Sequence, residues 1–129
     1  MDNWKEHTKR HIPEVVDECY DENIINPMML WIELNFLFFD AAKIGNDNLI
    51  KRIFEESDYY HNYENNPKGD DYSTAVALDF IEHLLDQKEK IPYVLKYFPK
   101  EDFIGCKGLL TYHNSEGKYQ KILALYNDD

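Results

Sequence analysis

Near the start of the chain, His7, His11 and Glu14 have the types and the i, i+4, i+7 spacing that would set two imidazoles and a carboxylate on one face of a helix. That is a donor set zinc accepts. The helix of a zinc protease carries a glutamate directly after its first histidine as general base, and that position is Thr8 here. Pro13 falls between the second and third donors, and it disfavours helical geometry in the residue ahead of it. The expectation is a solvated N-terminal turn without a metal. Asp79 and His83, at i, i+4 with Glu82 and Asp86 alongside, could orient one another as an acid–base pair. The same spacing also supports an ordinary exposed helix. No nucleophile, glycine-rich phosphate loop or pair of Glu-x-x-His motifs accompanies it. Cys19 lacks a basic neighbour, and Cys106, although beside Lys107, has no histidine base close in sequence. The chain therefore reads as a protein without catalytic residues or cofactors. The alternatives are a small enzyme or metal protein built on His7, His11 and Glu14, or on Asp79 and His83, and a general protein-interaction domain.

The elements that would position these residues are helices. Residues 13 to 22, PEVVDECYDE, begin with proline at a first helical position, and Ile12, Val15, Val16, Cys19 and Tyr20 recur at helical spacing. Asn26 is placed to cap a second helix with Pro27 at its first position, ending at Gly45. Nearly every side of that helix is apolar, so it is expected at the centre with Trp31 and Phe36 buried. Asp47 or its neighbour caps a third helix. Its inward stripe is Leu49, Ile50, Ile53, Phe54, Ser57, Tyr60 and His61, and its wet stripe is Lys51, Arg52, Glu55, Glu56, Asp58, Tyr59 and Asn62. After the turn-forming NNPKG, residues 70 to 86 (DDYSTAVALDFIEHLLD) read as a fourth helix. Val76, Ala77, Phe80, Ile81 and Leu84 face inward, with Asp79, Glu82, His83 and Asp86 outward. PYVLKYF follows as a short helix, and Gly105 and Gly108 weaken the helical reading after it. Ser115 caps a last helix, with a strand as the alternative there. The fold class is all-α: a single-domain bundle of about six antiparallel helices over residues 1–129.

With 129 residues, 43% of them apolar and 15% aromatic, the chain can bury one core. A formal charge of −11 opposes binding to nucleic acid and to anionic membranes and favours a basic protein partner. The acids are unevenly spread. Between Arg10 and Lys43 stand Glu14, Asp17, Glu18, Asp21, Glu22, Glu33 and Asp40 with no base, whereas lysines outnumber acids from Lys88 to Lys121. The opening MDNWKEHTKR has no apolar core of signal-peptide length, the longest apolar run is broken by Glu33 and Asn35, and the two cysteines suit reduced thiols. A cytoplasmic location is expected. The docking surface is expected at Asp70, Asp71, Asp79, Glu82 and Asp86, with Tyr59 and Tyr63 beside them, because tyrosine supplies contact area at low entropic cost.

The run YSTAVALDFIEHL, the acidic loop before it, and the segments PEVVDECYDE and LIKRIFEE resemble a family of small acidic all-helical bacterial proteins of unknown function, itself similar to immunity proteins of contact-dependent and polymorphic toxin systems. The resemblance spans roughly the first 100 residues and carries no catalytic motif. It implies a non-catalytic protein that occludes a basic toxin domain. The C-terminal third has no part in it.

Overall fold

The computed structural model describes residues 3–61, 75–77 and 79–126, and among them every regular element is helical. The first, α1, spans Asn3–His11, so the segment ahead of Pro13 is a helix and not a turn. Ile12 leaves helical geometry (φ −130°, ψ 70°), as the residue before a proline must, and its side chain is wholly buried. The expected single helix over 13–22 is corrected. A 3-10 turn, Pro13–Val15, gives way to extended backbone at Val16, and then comes α2, Tyr20–Asn23. The break has a local cause: Asp17 Oδ1 accepts the Cys19 N–H at 2.8 Å, a side-chain bond that competes with the helical ladder.

α3, Pro27–Ile44, begins and ends as its sequence dictates. Asn26 Oδ1 accepts the Met29 N–H at 2.9 Å, Pro27 takes a first-turn position, and Gly45 adopts the left-handed conformation (φ 72°) that a side chain would resist. Asn46, the neighbour of Asp47, caps α4, Asp47–His61, by accepting the Leu49 N–H at 3.3 Å. So short a connection folds α3 back along α4 as a helix hairpin. Leu30, Trp31, Leu34, Phe38 and Ala41 meet Leu49, Ile50, Ile53, Phe54, Ser57 and Tyr60 between them. Two residues depart from the expected pattern. Phe36 is 60% exposed, because a helix apolar on all sides can turn only one face to its neighbours. Glu56, expected wet, is fully buried.

Residues 75–77 and 79 are helical, but the helix expected to run to residue 86 ends at Phe80 (φ −126°, ψ −64°) and becomes a 3-10 turn, Ile81–His83. Phe80 is the hub of the core, with its ring 5.1 Å from Trp31, 5.4 Å from Phe54 and 5.8 Å from Phe38. A further 3-10 turn, Lys88–Lys90, leads into α5, Ile91–Tyr97. α6, Lys100–Gly105, and α7, Lys107–Leu110, are parted at Cys106, between the two glycines. α8, Glu116–Leu123, is capped by Ser115, whose Oγ accepts the Lys118 N–H at 3.1 Å, and the strand alternative is set aside. Phe103, Leu110, Tyr119 and Ile122 complete the core at this end. Among the described residues no helix is long and apolar enough to cross a membrane.

Candidate functional site

Two regions combine chemistry with an organised setting. The first is the seam between α1 and α4. His7 and His11, one turn apart on α1, aim their Nδ1 atoms at opposite oxygens of the buried Glu56 carboxylate, at 2.8 and 2.7 Å. Thr8 Oγ1, on the same helix, lies 2.6 Å from Glu56 Oε2 and 2.7 Å from the Tyr60 hydroxyl, which donates to the Trp4 carbonyl at 2.8 Å. Burial drives the Tyr60 phenol far above its ordinary range, so it remains a protonated donor. The outer shell is also arranged. The Tyr59 ring stacks on His7 with centroids 3.6 Å apart, and His11 Nε2 is 3.2 Å from Glu55 Oε1. Both histidines keep an edge open to solvent.

This arrangement corrects the donor set read from sequence. Glu14 lies beyond the 3-10 turn and forms a two-pronged pair with Arg52, Oε1 accepting from Nη1 at 2.7 Å and Oε2 from Nη2 at 2.5 Å. The guanidinium holds its carboxyl below the usual range. Glu56 takes the place assigned to Glu14. Nothing local marks Glu56 out, since it sits between Glu55 and Ser57 on a helix rich in exposed acids, and its partners come from more than 40 residues away.

The residues expected to form an outward acidic row do not share one orientation. Asp70, Asp71 and Tyr63 lie outside the described residues. Glu82 is buried, not exposed, and its Oε1 pairs with His113 Nε2 at 2.7 Å. Asp79 is half-buried, and among the described residues its Oδ2 meets no hydrogen-bond partner; desolvation raises its carboxyl above the ordinary range. Asp86 is exposed but engaged, with Oδ2 2.6 Å from His83 Nδ1. The expected Asp79–His83 pair is thus replaced by His83–Asp86, because the helix stops at Phe80 and turns His83 away. Tyr59 is half-buried against His7. Cys106 has its thiol pushed up by burial and by Asp102, the reverse of what a nucleophile needs.

The second region is the outer face of α3. Met28, Met29, Ile32 and Phe36 recur at three- and four-residue spacing and are 41, 37, 43 and 60% exposed, with Ile25 just ahead of them at 69%. Beside this stripe runs a groove of about 310 Å³ whose walls include Val15, Tyr20, Ile24, Met29 and Ile32. Two carboxylates, Asp17 and Glu33, also line it. Comparison with protein-family models, with characterised proteins and with solved structures returns no match.

Proposed function

We propose that the protein is a non-catalytic binding protein that docks a basic protein partner on the outer face of α3 and the adjoining groove. The observation that carries this reading is an exposed apolar stripe on a stretch of chain whose own charged side chains are all carboxylates, with Lys43 paired to Asp40 at its far end and Lys5 and Lys9 reaching Asp21 from α1. From residue 11 to residue 42 the chain contains no lysine or arginine, and this stretch supplies the 3-10 turn at Pro13–Val15, α2 and nearly all of α3. Glu18, Glu22, Glu33 and Asp40 are exposed around the stripe. An apolar centre with a charged rim is the anatomy of a protein interface. Phe36 supplies an aromatic anchor and the methionines an adaptable surface. The rim selects the partner. Acidic surfaces and nucleic acid are repelled by it, while a surface with lysine or arginine around an apolar centre gains both contact and steering. Self-association of this face would set like charges against each other.

The kind of basic partner we infer is a toxin domain, in keeping with the resemblance of YSTAVALDFIEHL and its flanking segments to immunity-type proteins. Neutralisation would then be occlusion, with no chemistry demanded of the binding protein.

A photo-reactive phenylalanine analogue placed at Ile32 or Phe36, and at the still more exposed Tyr112 in the C-terminal third, tests the assignment. After irradiation in cells that make the protein, positions 32 and 36 should yield the same crosslinked protein, with a net positive charge, and position 112 should not. Crosslinks only to a second copy of the chain, or to an acidic protein, would contradict the proposal.

A further inference from the structure

We propose that His7, His11 and Glu56 form a binding site for a divalent transition metal, zinc foremost, that clips α1 to α4. Three observations carry it. The donor set is two imidazoles and one carboxylate, which zinc takes with its last position left to water, and the donor atoms of these residues lie within 4.8 Å of one another. Their positions are fixed before any ion arrives: the histidines occupy successive turns of one helix, Glu56 is held by Thr8, and the Tyr59 ring holds the plane of His7. The outer shell has the form that metal-bound histidines use. With Nδ1 of His11 turned to the centre, its Nε2 faces the Glu55 carboxylate, the arrangement that fixes the tautomer of a ligating imidazole.

The space needed is small. Donors arranged tetrahedrally at about 2.0–2.1 Å from a metal stand roughly 3.3 Å apart. The Nδ1 atoms lie 2.8 and 2.7 Å from different oxygens of the carboxylate, so an ion replaces both hydrogen bonds, pushing each imidazole outward and taking its carboxylate ligand from the two oxygens together or from one of them. Each imidazole keeps a solvent-facing edge through which it can arrive. The ion also answers a physical need. Glu56 is a fully buried carboxylate whose ion-pair partners among the described residues are the two histidines, with no lysine or arginine. A dication there compensates a charge that burial otherwise penalises.

A second cluster, Glu82, His83 and His113, offers the same donor types. It is weaker on this account, because His83 Nδ1 is held by Asp86 and the two imidazoles stack face on face at 5.0 Å. It serves as the internal control.

The test is titration of the purified chain with Zn²⁺ in competition with a chromogenic chelator, repeated with Co²⁺ for its visible spectrum, with melting temperatures recorded alongside. Wild type should bind about one equivalent, raise its melting temperature on binding, and give the intense bands of four-coordinate Co²⁺. His11→Ala and Glu56→Gln should lose the equivalent, and His113→Ala should keep it. Wild type that binds no saturable equivalent overturns the proposal without recourse to any variant. So does an equivalent that survives in folded His11→Ala and disappears in His113→Ala.

Discussion

The outer face of α3 and the seam between α1 and α4 break the same rule in opposite directions. On α3, apolar side chains stand where water is; in the seam, a carboxylate stands where water is not. Phe36 is 60% exposed and Glu56 is fully buried, although reading each helix by its own periodicity would reverse the two. Burial of Glu56 is made tolerable by partners on another element, His7, Thr8 and His11, which supply the hydrogen bonds that a buried charge requires. Exposure of Phe36 has no such compensation among the described residues. A carboxylate hydrogen-bonded within the chain is no argument for a second protein, whereas an uncovered apolar stripe with an acidic rim is one.

The largest effect expected on this comparison belongs to the core, which both regions border. Phe80→Ala should cost about 3–5 kcal/mol, since the ring is fully buried among Trp31, Phe38 and Phe54. Phe36→Ala should change stability by less than about 0.5 kcal/mol, as an exposed position does. Denaturant unfolding of the two variants decides it, and equal losses would mean that α3 turns the other face inward.

The next effect concerns the other wholly buried charge, Lys90, which sharpens the contrast because its nearest acceptors are neutral. Its Nζ donates to Asn35 Oδ1 at 2.6 Å and to the His83 carbonyl at 3.4 Å. Burial lowers the ammonium from 10.5 to about 8, against a smaller opposing pull from Asp86. Because the folded value is the lower one, the unfolded chain binds more protons between about 8 and 10.5, and stability rises with pH through that window. Below it Lys90 is charged in both states and the full burial penalty applies. Wild type should therefore gain on Lys90→Met by an amount on the order of 2–3 kcal/mol as pH climbs from 7 to 10, measured by unfolding at each pH. A difference independent of pH would contradict the burial of Lys90.

Smaller again is the pair of neighbouring glutamates. Glu56→Ala should cost about 1–3 kcal/mol in metal-free buffer, because it strands His7, His11 and Thr8. Glu55→Ala, at an exposed position, should stay within about 0.5 kcal/mol. Similar values for the two would place the carboxylate in water.

Much of this architecture is legible in the residues. Asn26, Pro27 and Gly45 bound α3, Ser115 opens α8, and the inward stripe of α4 follows from its spacing, because caps and periodicity are local facts. The misread features are set by distant chain. An all-round apolar helix does not say which side will meet α4, and Glu56 is separated from His11 by 45 residues. Local competition accounts for others: Asp17 bonds the backbone of Cys19 and so divides PEVVDECYDE. Of the candidate sites, the histidine pair was visible at i, i+4, but its carboxylate was not. The acidic rim was visible as a charge run, whereas its apolar centre needed the fold.

Docking of a basic protein on the outer face of α3 is open to direct measurement. Its most direct test is the rate of association and dissociation with the protein crosslinked through position 36, for wild type and for the double variant Ile32→Lys with Phe36→Lys, at low and high salt. The variant should keep its fold and lose binding or weaken it by orders of magnitude, and wild-type association should slow as salt is raised. Wild-type rates insensitive to salt, together with a folded variant that binds as tightly as wild type, would contradict it.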